Sequence, residues 1–263
     1  MTQEESARYL LNYDPRVSKR VITPEPRTPA VNMVDADALA ADEELRIDKA
    51  YRNVVKAYLE SNHRKKIEII ERAYRFAKHA HAGVRRRSGE PYILHPIAVA
   101  QIVISELGLG STSICAALLH DVVEDTEYTR EDIEANFGPK VASIVEGLTK
   151  ISGGIFGNKA SLQAENFRKL LLSMSTDVRV VLIKMADRLH NMRTLGSLRP
   201  EKQYKIAGET LYVYAPLAHR LGLFKIKQEL EDLAFRYEHP AKYTEIMGLI
   251  EQSSETRQRI VDE

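Results

Sequence analysis

The stretch Ile114-Cys-Ala-Ala-Leu-Leu-His-Asp-Val-Val-Glu-Asp125 decides how this chain folds and indicates its chemistry. An apolar run leads directly into His120 and Asp121, and two further carboxylates follow at Glu124 and Asp125. Because a helix advances by about 100° per residue, an unbroken helix places these four polar side chains on one stripe. A helix that leaves a core and ends in imidazole and carboxylate groups predicts a metal site.

Two further candidate ligands lie upstream and downstream of this stretch. His95 precedes Pro96, where a turn enters a helix, and Asp187 lies in Ala186-Asp-Arg-Leu-His-Asn-Met-Arg-Thr194. Nitrogen and oxygen ligands without cysteine suit Mn²⁺, Fe²⁺, Co²⁺ or Mg²⁺ better than a structural zinc site. Such an ion lowers the pKa of a bound water and neutralises a phosphoryl oxygen. The predicted metal ligands are His95, His120, Asp121 and Asp187.

Each of these residues has a simpler interpretation when it is taken alone. A histidine beside an apolar run is as often a core residue as a ligand, and Glu124 with Asp125 is most often a solvated helix end. Acidic groups at a helix C-terminus are mildly unfavourable with the helix dipole, which hints at a counter-ion. The full set favours a metal site. The remaining histidines are expected to be surface or structural residues, namely His63, His79, His81, His190, His219 and His239.

Asp187 also begins a polar helix face. Asn191 and Thr194 follow it at i+4 and i+7, so the three side chains share one side of the helix. The opposite side is apolar and is expected to pack inward. Its members are Val180, Val181, Ile183 and Leu189.

A dense basic turn, Arg85-Arg-Arg-Ser-Gly-Glu-Pro91, lies shortly before His95. Guanidinium groups pair bidentately with phosphate and stack on planar groups, so this turn suits an anionic, planar ligand. Three arginines alone would more often form a solvated turn, but the short separation from a predicted metal ligand favours binding. We therefore expect a phosphate-rich nucleotide as the class of substrate.

The composition is that of a globular protein without a strong overall charge. The chain has 263 residues, of which 44% are hydrophobic and 29% are charged, and its formal net charge is +1. This balance predicts neither direct nucleic-acid binding nor a membrane partner. The first residues lack the pattern of a signal peptide, and no run of about 18 apolar residues occurs. Cys115 is expected to be buried in a protein of a reducing compartment, which predicts a cytoplasmic location.

Helical patterns fill most of the sequence and predict an all-α fold. Prolines interrupt any helix between residue 1 and about residue 41, and Gly153-Gly-Ile-Phe-Gly157 predicts a mobile loop. The helix that begins at Thr112 is expected to continue to about Glu124. Asn62 is expected to cap the helix whose buried face carries Ile67, Ile70, Ala73, Tyr74 and Ala77. Further helices are expected from about Asp42, Pro96, Thr129, Val141, Ser161, Asp177, Pro200, Gly222 and Pro240.

Six segments, in order along the chain, resemble the hydrolase domain of the Rel/SpoT family, the bifunctional (p)ppGpp synthetase/hydrolases of the stringent response. The order of the ligands, His…His-Asp…Asp, is that of HD-type metallohydrolases. The match runs from about residue 64 to residue 240 and is far more specific than the ligand order alone. The segments are Arg86-Arg-Ser-Gly-Glu-Pro-Tyr-Ile-Leu-His-Pro96, Ala117-Leu-Leu-His-Asp-Val-Val-Glu-Asp-Thr126, Gly147-Leu-Thr-Lys-Ile151, Ala164-Glu-Asn-Phe-Arg-Lys169, Ala186-Asp-Arg-Leu-His-Asn-Met-Arg-Thr-Leu195 and Tyr214-Ala-Pro-Leu-Ala-His-Arg-Leu-Gly222.

The resemblance implies an HD-domain helical bundle that hydrolyses ppGpp and pppGpp at the 3′-pyrophosphate. The implied products are GDP or GTP and pyrophosphate, and the implied cofactor is Mn²⁺ on the four ligands named above. Glu124 and Asp125 would act on the attacking water and the leaving group, and Asn191 would also serve catalysis. The implied substrate-binding residues are Arg86, Arg87, Ser88, Lys159, Asn191 and Thr194.

The resemblance also divides the chain. Residues 1–62 are interpreted as an N-terminal extension with a Pro-rich linker and one helix, and residues 63–240 as the HD hydrolase domain. Residues 241–263 are interpreted as a helix that leads toward an absent synthetase domain. Because family members commonly continue into synthetase and regulatory domains, we expect a longer chain to carry them. No role is assigned to the extension.

Two alternatives remain open from the residues alone. The first is an HD phosphohydrolase of another nucleotide, such as a dNTP or a cyclic nucleotide. The second is a nucleotide-sensing module that binds without turnover and whose metal is structural. A separate hypothesis makes residues 152–160 the element that switches activity on and off.

Overall fold

The computed structural model describes residues 33–152 and 177–262, and this part of the chain is helical. Within these ranges there is no strand, and one isolated β-bridge pairs Arg85 with Pro91. The all-α prediction is therefore confirmed. The site lies in the compact unit that begins at Asp42. The helices are α1 (Met33–Glu60), α2 (Ile67–Ala80), α3 (Leu94–Ser105), α4 (Ser111–Leu118), α5 (Val122–Asp125), α6 (Arg130–Phe137), α7 (Pro139–Ser152), α8 (Val178–Arg193), α9 (Pro200–Glu209), α10 (Ala215–Arg220), α11 (Phe224–Glu238) and α12 (Pro240–Asp262), with a 3₁₀ turn at Leu195–Ser197 and a π-helical turn at Thr210–Tyr214.

Helix α4 lies at the centre of the core. It packs against α2, α3, α7 and α8, and its residues from Ile114 to Leu118 have no exposed surface. A helix that is apolar on all sides must be buried, which is why this short segment is surrounded. Cys115 is buried within it, as predicted. The site is therefore built on the least exposed helix of the described chain.

Helices α7 and α8 approach each other closely at Gly147. A Cβ atom at this position would lie 2.9 Å from Cγ2 of Val180, so only glycine fits without a shift. Val180, Val181, Ile183 and Leu189 are all buried, as the apolar face of α8 predicts. This packing fixes the rotation of α8 and turns its polar face toward α4.

The prediction of one unbroken helix from Thr112 to about Glu124 was wrong. The chain forms α4, leaves the helix at Leu119, turns through His120 and Asp121, and re-enters a short helix at Val122. The Nδ1 atom of His120 contacts the carbonyl oxygen of Ala117 at 2.7 Å, so the side chain satisfies a carbonyl at the helix end. This local competition ends α4 before the metal ligands are reached.

Two predictions about the first helices were also wrong. Helix α1 begins at Met33 rather than near Asp42, because residues 33–41 are rich in alanine and contain no proline. Asn62 does not cap α2, which begins at Ile67. The connection between α1 and α2 depends instead on Tyr58, whose hydroxyl donates to the carbonyl of Arg64 at 2.5 Å.

Several other starts and faces agree with the sequence. Thr129 and Asp132 form a capping box at α6, and Asp177 caps α8. Of the predicted buried face of α2, Ile70, Ala73, Tyr74 and Ala77 are buried, whereas Ile67 in the first turn is half-buried.

The predictions on residues 1–32 and 153–176 lie outside the described residues. These include the Pro-rich linker, Lys159, the loop at 153–160 and the helix from Ser161. Among the described helices, none is both long and apolar enough to cross a membrane. The domain boundaries at residues 62 and 240 remain predictions.

Candidate metal centre

Four predicted ligands converge at the end of α4. Nε2 of His95 lies 3.4 Å from Oδ1 of Asp187 and 3.6 Å from Oδ2 of Asp121. Nε2 of His120 lies 3.0 Å from Oδ2 of Asp121 and 3.9 Å from Oδ1 of Asp187. Ligand atoms of His95, His120 and Asp187 all lie within 4.8 Å of one another, which is close enough to share one ion.

The break after α4 explains how two adjacent residues reach the same point. His120 lies in the turn after α4 and Asp121 is the N-cap of α5, so their side chains leave a turn instead of successive positions of one helix. His95 comes from the first turn of α3 and Asp187 from the middle of α8. Three packed elements therefore deliver the four groups.

The donor set fits a divalent cation. Nε2 of His120 is buried and lies 3.0 Å from Oδ2 of Asp121, an ion pair when the ring is protonated, while Nδ1 of the same ring contacts Ala117. A buried nitrogen beside two carboxylates is costly unless it carries a proton or binds a metal. The contact at Nδ1 leaves Nε2 directed at the other ligands, as a metal-binding histidine requires.

Burial and charge oppose each other in this centre. Burial disfavours the charged form of His120, but Asp121 and Asp187 outweigh it and raise its pKa to about 9. Burial likewise opposes ionisation of Asp187, but Lys184 and the histidines hold its pKa well below the usual range. The pKa of His95 is lowered, chiefly by burial. The carboxylates are thus ionised and ready to bind a cation.

Glu124 and Asp125 lie on α5 beside the ligands and are exposed. Both line the cavity, as expected for groups that meet water and substrate. Tyr92 links Asp125 to the centre, because its hydroxyl lies 2.6 Å from Oδ2 of Asp121 and 3.1 Å from Oδ2 of Asp125. The pKa of Tyr92 is raised by burial and by the two carboxylates, so the hydroxyl keeps its proton.

Lys184 adds a buried cation to the same cavity. Its Nζ lies 2.8 Å from Oδ2 of Asp187, and only 14% of its side chain is exposed. Burial alone would lower the pKa of Lys184, but Asp187 and other neighbours raise it above its usual value. The amine is therefore charged where a phosphate would enter.

Arg86 joins the basic turn to the polar face of α8. Its guanidinium donates to Oδ1 of Asn191 at 3.0 Å and to Oγ1 of Thr194 at 3.3 Å. Asn191 in turn donates to Oδ1 of Asp187 at 2.7 Å. Three predicted substrate-binding residues are therefore brought together, and Asn191 connects them to the predicted ligand Asp187.

Arg87 and Ser88 lie on the same turn but are exposed and do not line the cavity. The turn is held by the bridge between Arg85 and Pro91 and by a bond from the Arg86 amide to the carbonyl of Glu90 at 2.9 Å. Outside the cavity, Arg85 forms a bidentate pair with Glu43 of α1 at 2.7 and 2.9 Å.

His190 contacts the centre directly, which sequence analysis did not predict. Its Nδ1 lies 2.8 Å from Nδ1 of His95. Burial, followed by His95 and Arg86, lowers the pKa of His190 to about 3, so its ring is neutral near pH 7.

These groups line a cavity of about 240 Å³. Carboxylates and the imidazole of His95 line it together with Arg86 and Asn191. The arrangement can hold a cation next to a phosphorylated ligand. Its lining residues are Arg86, Tyr92, His95, Asp121, Glu124, Asp125, Lys184, Asp187 and Asn191.

A family comparison matches this region. The profile described as HD domain covers residues 73–224, which is more than half of the chain and includes all four converging ligands. The chain belongs to the HD domain family. The match to the HD domain family therefore confirms the predicted fold class, an all-α HD-domain bundle.

Curated relatives support the closer resemblance. A Haemophilus influenzae protein named guanosine-3′,5′-bis(diphosphate) 3′-pyrophosphohydrolase is 53% identical over 186 residues, which cover 71% of this chain and 27% of the relative. The Escherichia coli K12 protein named bifunctional (p)ppGpp synthase/hydrolase SpoT is 46% identical over 213 residues, which cover 81% and 30%. The chain thus spans less than a third of the length of these relatives. The predicted resemblance to the Rel/SpoT family is confirmed.

A solved structure is also similar to this HD domain. It is described as a metazoan ortholog of SpoT that hydrolyzes ppGpp and plays a role in starvation responses. It has a TM-score of 0.51 and 25% sequence identity, and the match covers 67% of this chain and 99% of the other.

Tyr92, Lys184 and His190 are the site groups that sequence analysis missed. Tyr92 and His190 lie within segments that carry the family resemblance, so the signal was present in the motif without a role attached. Lys184 lies three residues before Asp187, a spacing that places both on one side of a helix.

Proposed function

We propose that this HD domain hydrolyses ppGpp and pppGpp at the 3′-pyrophosphate and releases GDP or GTP and pyrophosphate. The observation that carries the proposal is the connection of Arg86 and Asn191 to Asp187 within one cavity. A phosphate-binding arginine next to a metal-binding cluster suits a nucleotide whose reacting phosphorus lies close to its sugar and base. The names of the curated relatives support the same reaction.

The cofactor belongs to the proposal. His95, His120, Asp121 and Asp187 would hold Mn²⁺, because two imidazoles and two carboxylates without a thiolate suit this ion. When bound, the ion would acidify a water ligand and offset charge on a phosphoryl oxygen. The chain's own contribution is to hold the four groups in place through three packed helices.

Glu124 and Asp125 are proposed to transfer protons during the reaction. The oxygen of a water molecule forms a bond to the phosphorus that is attached to the ribose 3′ oxygen. The bond between this phosphorus and the ribose 3′ oxygen breaks. The proton of the water passes to one of these carboxylates, and the departing 3′ oxygen receives a proton. Their exposure on α5 supports this role, because both can reach water.

Arg86, Asn191 and Thr194 are proposed to bind the nucleotide. The guanidinium of Arg86 can stack on the guanine and pair with phosphate, while Asn191 offers an amide for base or ribose contacts. Arg87, Ser88 and Lys159 remain proposed contacts from the resemblance, as does a catalytic role for Asn191. Lys184 carries charge toward the phosphates, as its burial in the cavity supports.

A nucleotide panel separates this proposal from its alternatives. Turnover of ppGpp, pppGpp, dGTP and 3′,5′-cyclic GMP is measured by chromatography of the nucleotide products, each with Mn²⁺, Mg²⁺ or Zn²⁺. We expect turnover of ppGpp and pppGpp alone, with Mn²⁺ the most effective ion. Turnover of dGTP or the cyclic nucleotide instead would favour another HD phosphohydrolase.

Binding measured beside turnover tests the non-catalytic alternative. Tight ppGpp binding without pyrophosphate release would favour a sensing module. Glu124→Gln and Asp125→Asn are the matched variants, because each keeps the shape and removes the charge. We expect both to retain nucleotide binding while the rate of release falls.

The wider context is also proposed. The relatives are more than three times longer than the matched part, which supports synthetase and regulatory domains in a longer chain. A cytoplasmic location agrees with the buried, unpaired thiol of Cys115.

A further inference from the structure

The two ring nitrogens of His95 serve different neighbours. Nε2 is directed at the ligand cluster, 3.4 Å from Asp187 and 3.6 Å from Asp121. Nδ1 is directed at His190, with 2.8 Å between the two Nδ1 atoms. The side chain of His95 is only 4% exposed, so water does not substitute for either contact.

A count of protons fixes the roles in this pair. A neutral imidazole carries one N–H and one lone pair. If Nε2 of His95 offers its lone pair to a metal, the proton must be on Nδ1. Nδ1 of His190 must then accept, which requires His190 to be neutral with its own proton on Nε2.

We propose that His190 is a positioning residue that fixes the tautomer and ring orientation of His95 for metal binding. The inference rests on the proposed metal site, but not on the identity of the nucleotide. A metal-binding histidine commonly donates its second N–H to a carboxylate or carbonyl, and such partners raise ligand basicity. Here the acceptor would be the neutral imidazole of His190 instead of a carboxylate or a carbonyl.

Helix α8 delivers this partner together with a ligand. His190 lies three residues after Asp187, so both side chains leave the same side of the helix. The backbone carbonyl of His190 also accepts from the hydroxyl of Thr194 at 3.0 Å, and Thr194 accepts from Arg86. The C-terminal part of α8 therefore contacts both the predicted metal ligand His95 and Arg86, which is proposed to bind the nucleotide.

Two substitutions of equal shape test the role. His190→Asn keeps an acceptor, because the asparagine Oδ1 occupies nearly the position of the histidine Nδ1, whereas His190→Leu has the same outline without an acceptor. Mn²⁺ affinity is measured by calorimetry on the folded chain. We expect a loss of about 10- to 100-fold for His190→Leu and less than about threefold for His190→Asn.

A second readout separates positioning from general disruption. In zinc-loaded protein, ¹⁵N NMR should show His95 protonated at Nδ1 in the wild type and in His190→Asn. The rate of pyrophosphate release by His190→Leu should recover at saturating Mn²⁺, since the reacting groups are unchanged. His79→Leu, at an exposed histidine on α2, is the matched control and should keep wild-type affinity.

Equal Mn²⁺ affinity in the wild type and His190→Leu would overturn the inference, as would a zinc-loaded His95 protonated at Nε2. An equal loss in His190→Asn and His190→Leu would also contradict it, because the acceptor would then not matter. If the wild type binds Mn²⁺ but leaves ppGpp intact, the proposed function fails while the affinity comparison still decides the role of His190.

Discussion

At the scale of single residues, His120 is the group for which burial and charge conflict most strongly. Its side chain is buried, and its Nε2 lies 3.0 Å from Oδ2 of Asp121 and 3.9 Å from Oδ1 of Asp187. A cation on this nitrogen resolves the conflict. The types and order of the predicted ligands could be read from the sequence, whereas the contacts of His190 with His95 and of Tyr92 with Asp121 arise only in the folded chain.

Arg86 gives the first prediction. Arg86→Ala removes the bonds to Asn191 and Thr194 and the cation expected against the nucleotide, so KM for ppGpp should rise by about tenfold or more, as for loss of a charged hydrogen bond. Arg86→Lys should restore little of the wild-type KM, because the ammonium group of lysine does not reproduce the planar guanidinium. Steady-state kinetics measures KM for ppGpp in both variants.

Arg52→Ala, at an exposed arginine on α1, is the control and should leave KM unchanged. A wild-type KM in Arg86→Ala would contradict the nucleotide role.

Tyr92 gives the second prediction. Tyr92→Phe keeps the ring but removes the hydroxyl that lies between Asp121 and Asp125. Because such outer partners orient metal ligands, kcat or Mn²⁺ affinity should fall by about 10- to 100-fold. Tyr204→Phe removes a hydroxyl from an exposed ring and should change neither value. Unchanged kinetics and affinity in Tyr92→Phe would show that the hydroxyl is dispensable.

At the scale of elements, the break between α4 and α5 makes the site possible. An unbroken helix would hold His120 and Asp121 about 100° apart, whereas the turn lets both reach one point. Helical periodicity predicted the stripe but not the break, because the contact of His120 with Ala117 depends on the side-chain conformation. The cap of α6 was predictable since Thr129 and Asp132 are neighbours in sequence.

The start of α8 gives the third prediction. Asp177 accepts from the Arg179 amide at 3.0 Å, so Asp177→Ala should lower the free energy of unfolding by about 1 kcal/mol. The Arg179 side chain is the main cause that lowers the pKa of Asp177. A carboxyl with a lowered pKa stabilises the fold above its unfolded pKa and loses that effect as the pH falls through the folded value.

Urea unfolding of the wild type, Asp177→Ala and Asp177→Asn at pH 7 and pH 3.5 measures the effect. The difference between the wild type and Asp177→Asn should shrink at the lower pH, because the carboxyl of the unfolded chain then binds protons more readily than the folded carboxyl, whose pKa is lowered. A difference that grows on acidification would contradict the assigned charge.

At the scale of the whole molecule, one buried helix organises the described fold. Helix α4 contacts four neighbours, and the predicted ligands His120 and Asp121 lie in the turn that follows it. The sequence predicted this arrangement because the apolar run and the polar residues adjoin. It could not predict the close approach at Gly147, which depends on two helices distant in sequence.

Cys115 gives the fourth prediction. Burial raises the pKa of its thiol to about 12, so at pH 8 roughly one thiol in ten thousand is ionised in the folded chain. A thiol reagent should therefore react with Cys115 only when the chain unfolds, and the reaction should become faster as urea is added. Stability should decline as the pH rises above about 8.5 toward the folded pKa, because the unfolded thiol ionises first. Rapid labelling of the folded chain at pH 8 would contradict a closed core.

The most direct test of the central claim is release of pyrophosphate from ppGpp labelled in its 3′-diphosphate, with Mn²⁺ present. The wild-type chain should form GDP and labelled pyrophosphate in equal amounts. Asp187→Asn keeps the shape of a metal ligand and removes its charge, so the rate should fall by about 100-fold or more while circular dichroism remains unchanged. A folded wild-type chain that leaves ppGpp intact, or an Asp187→Asn variant as fast as the wild type, would contradict the account.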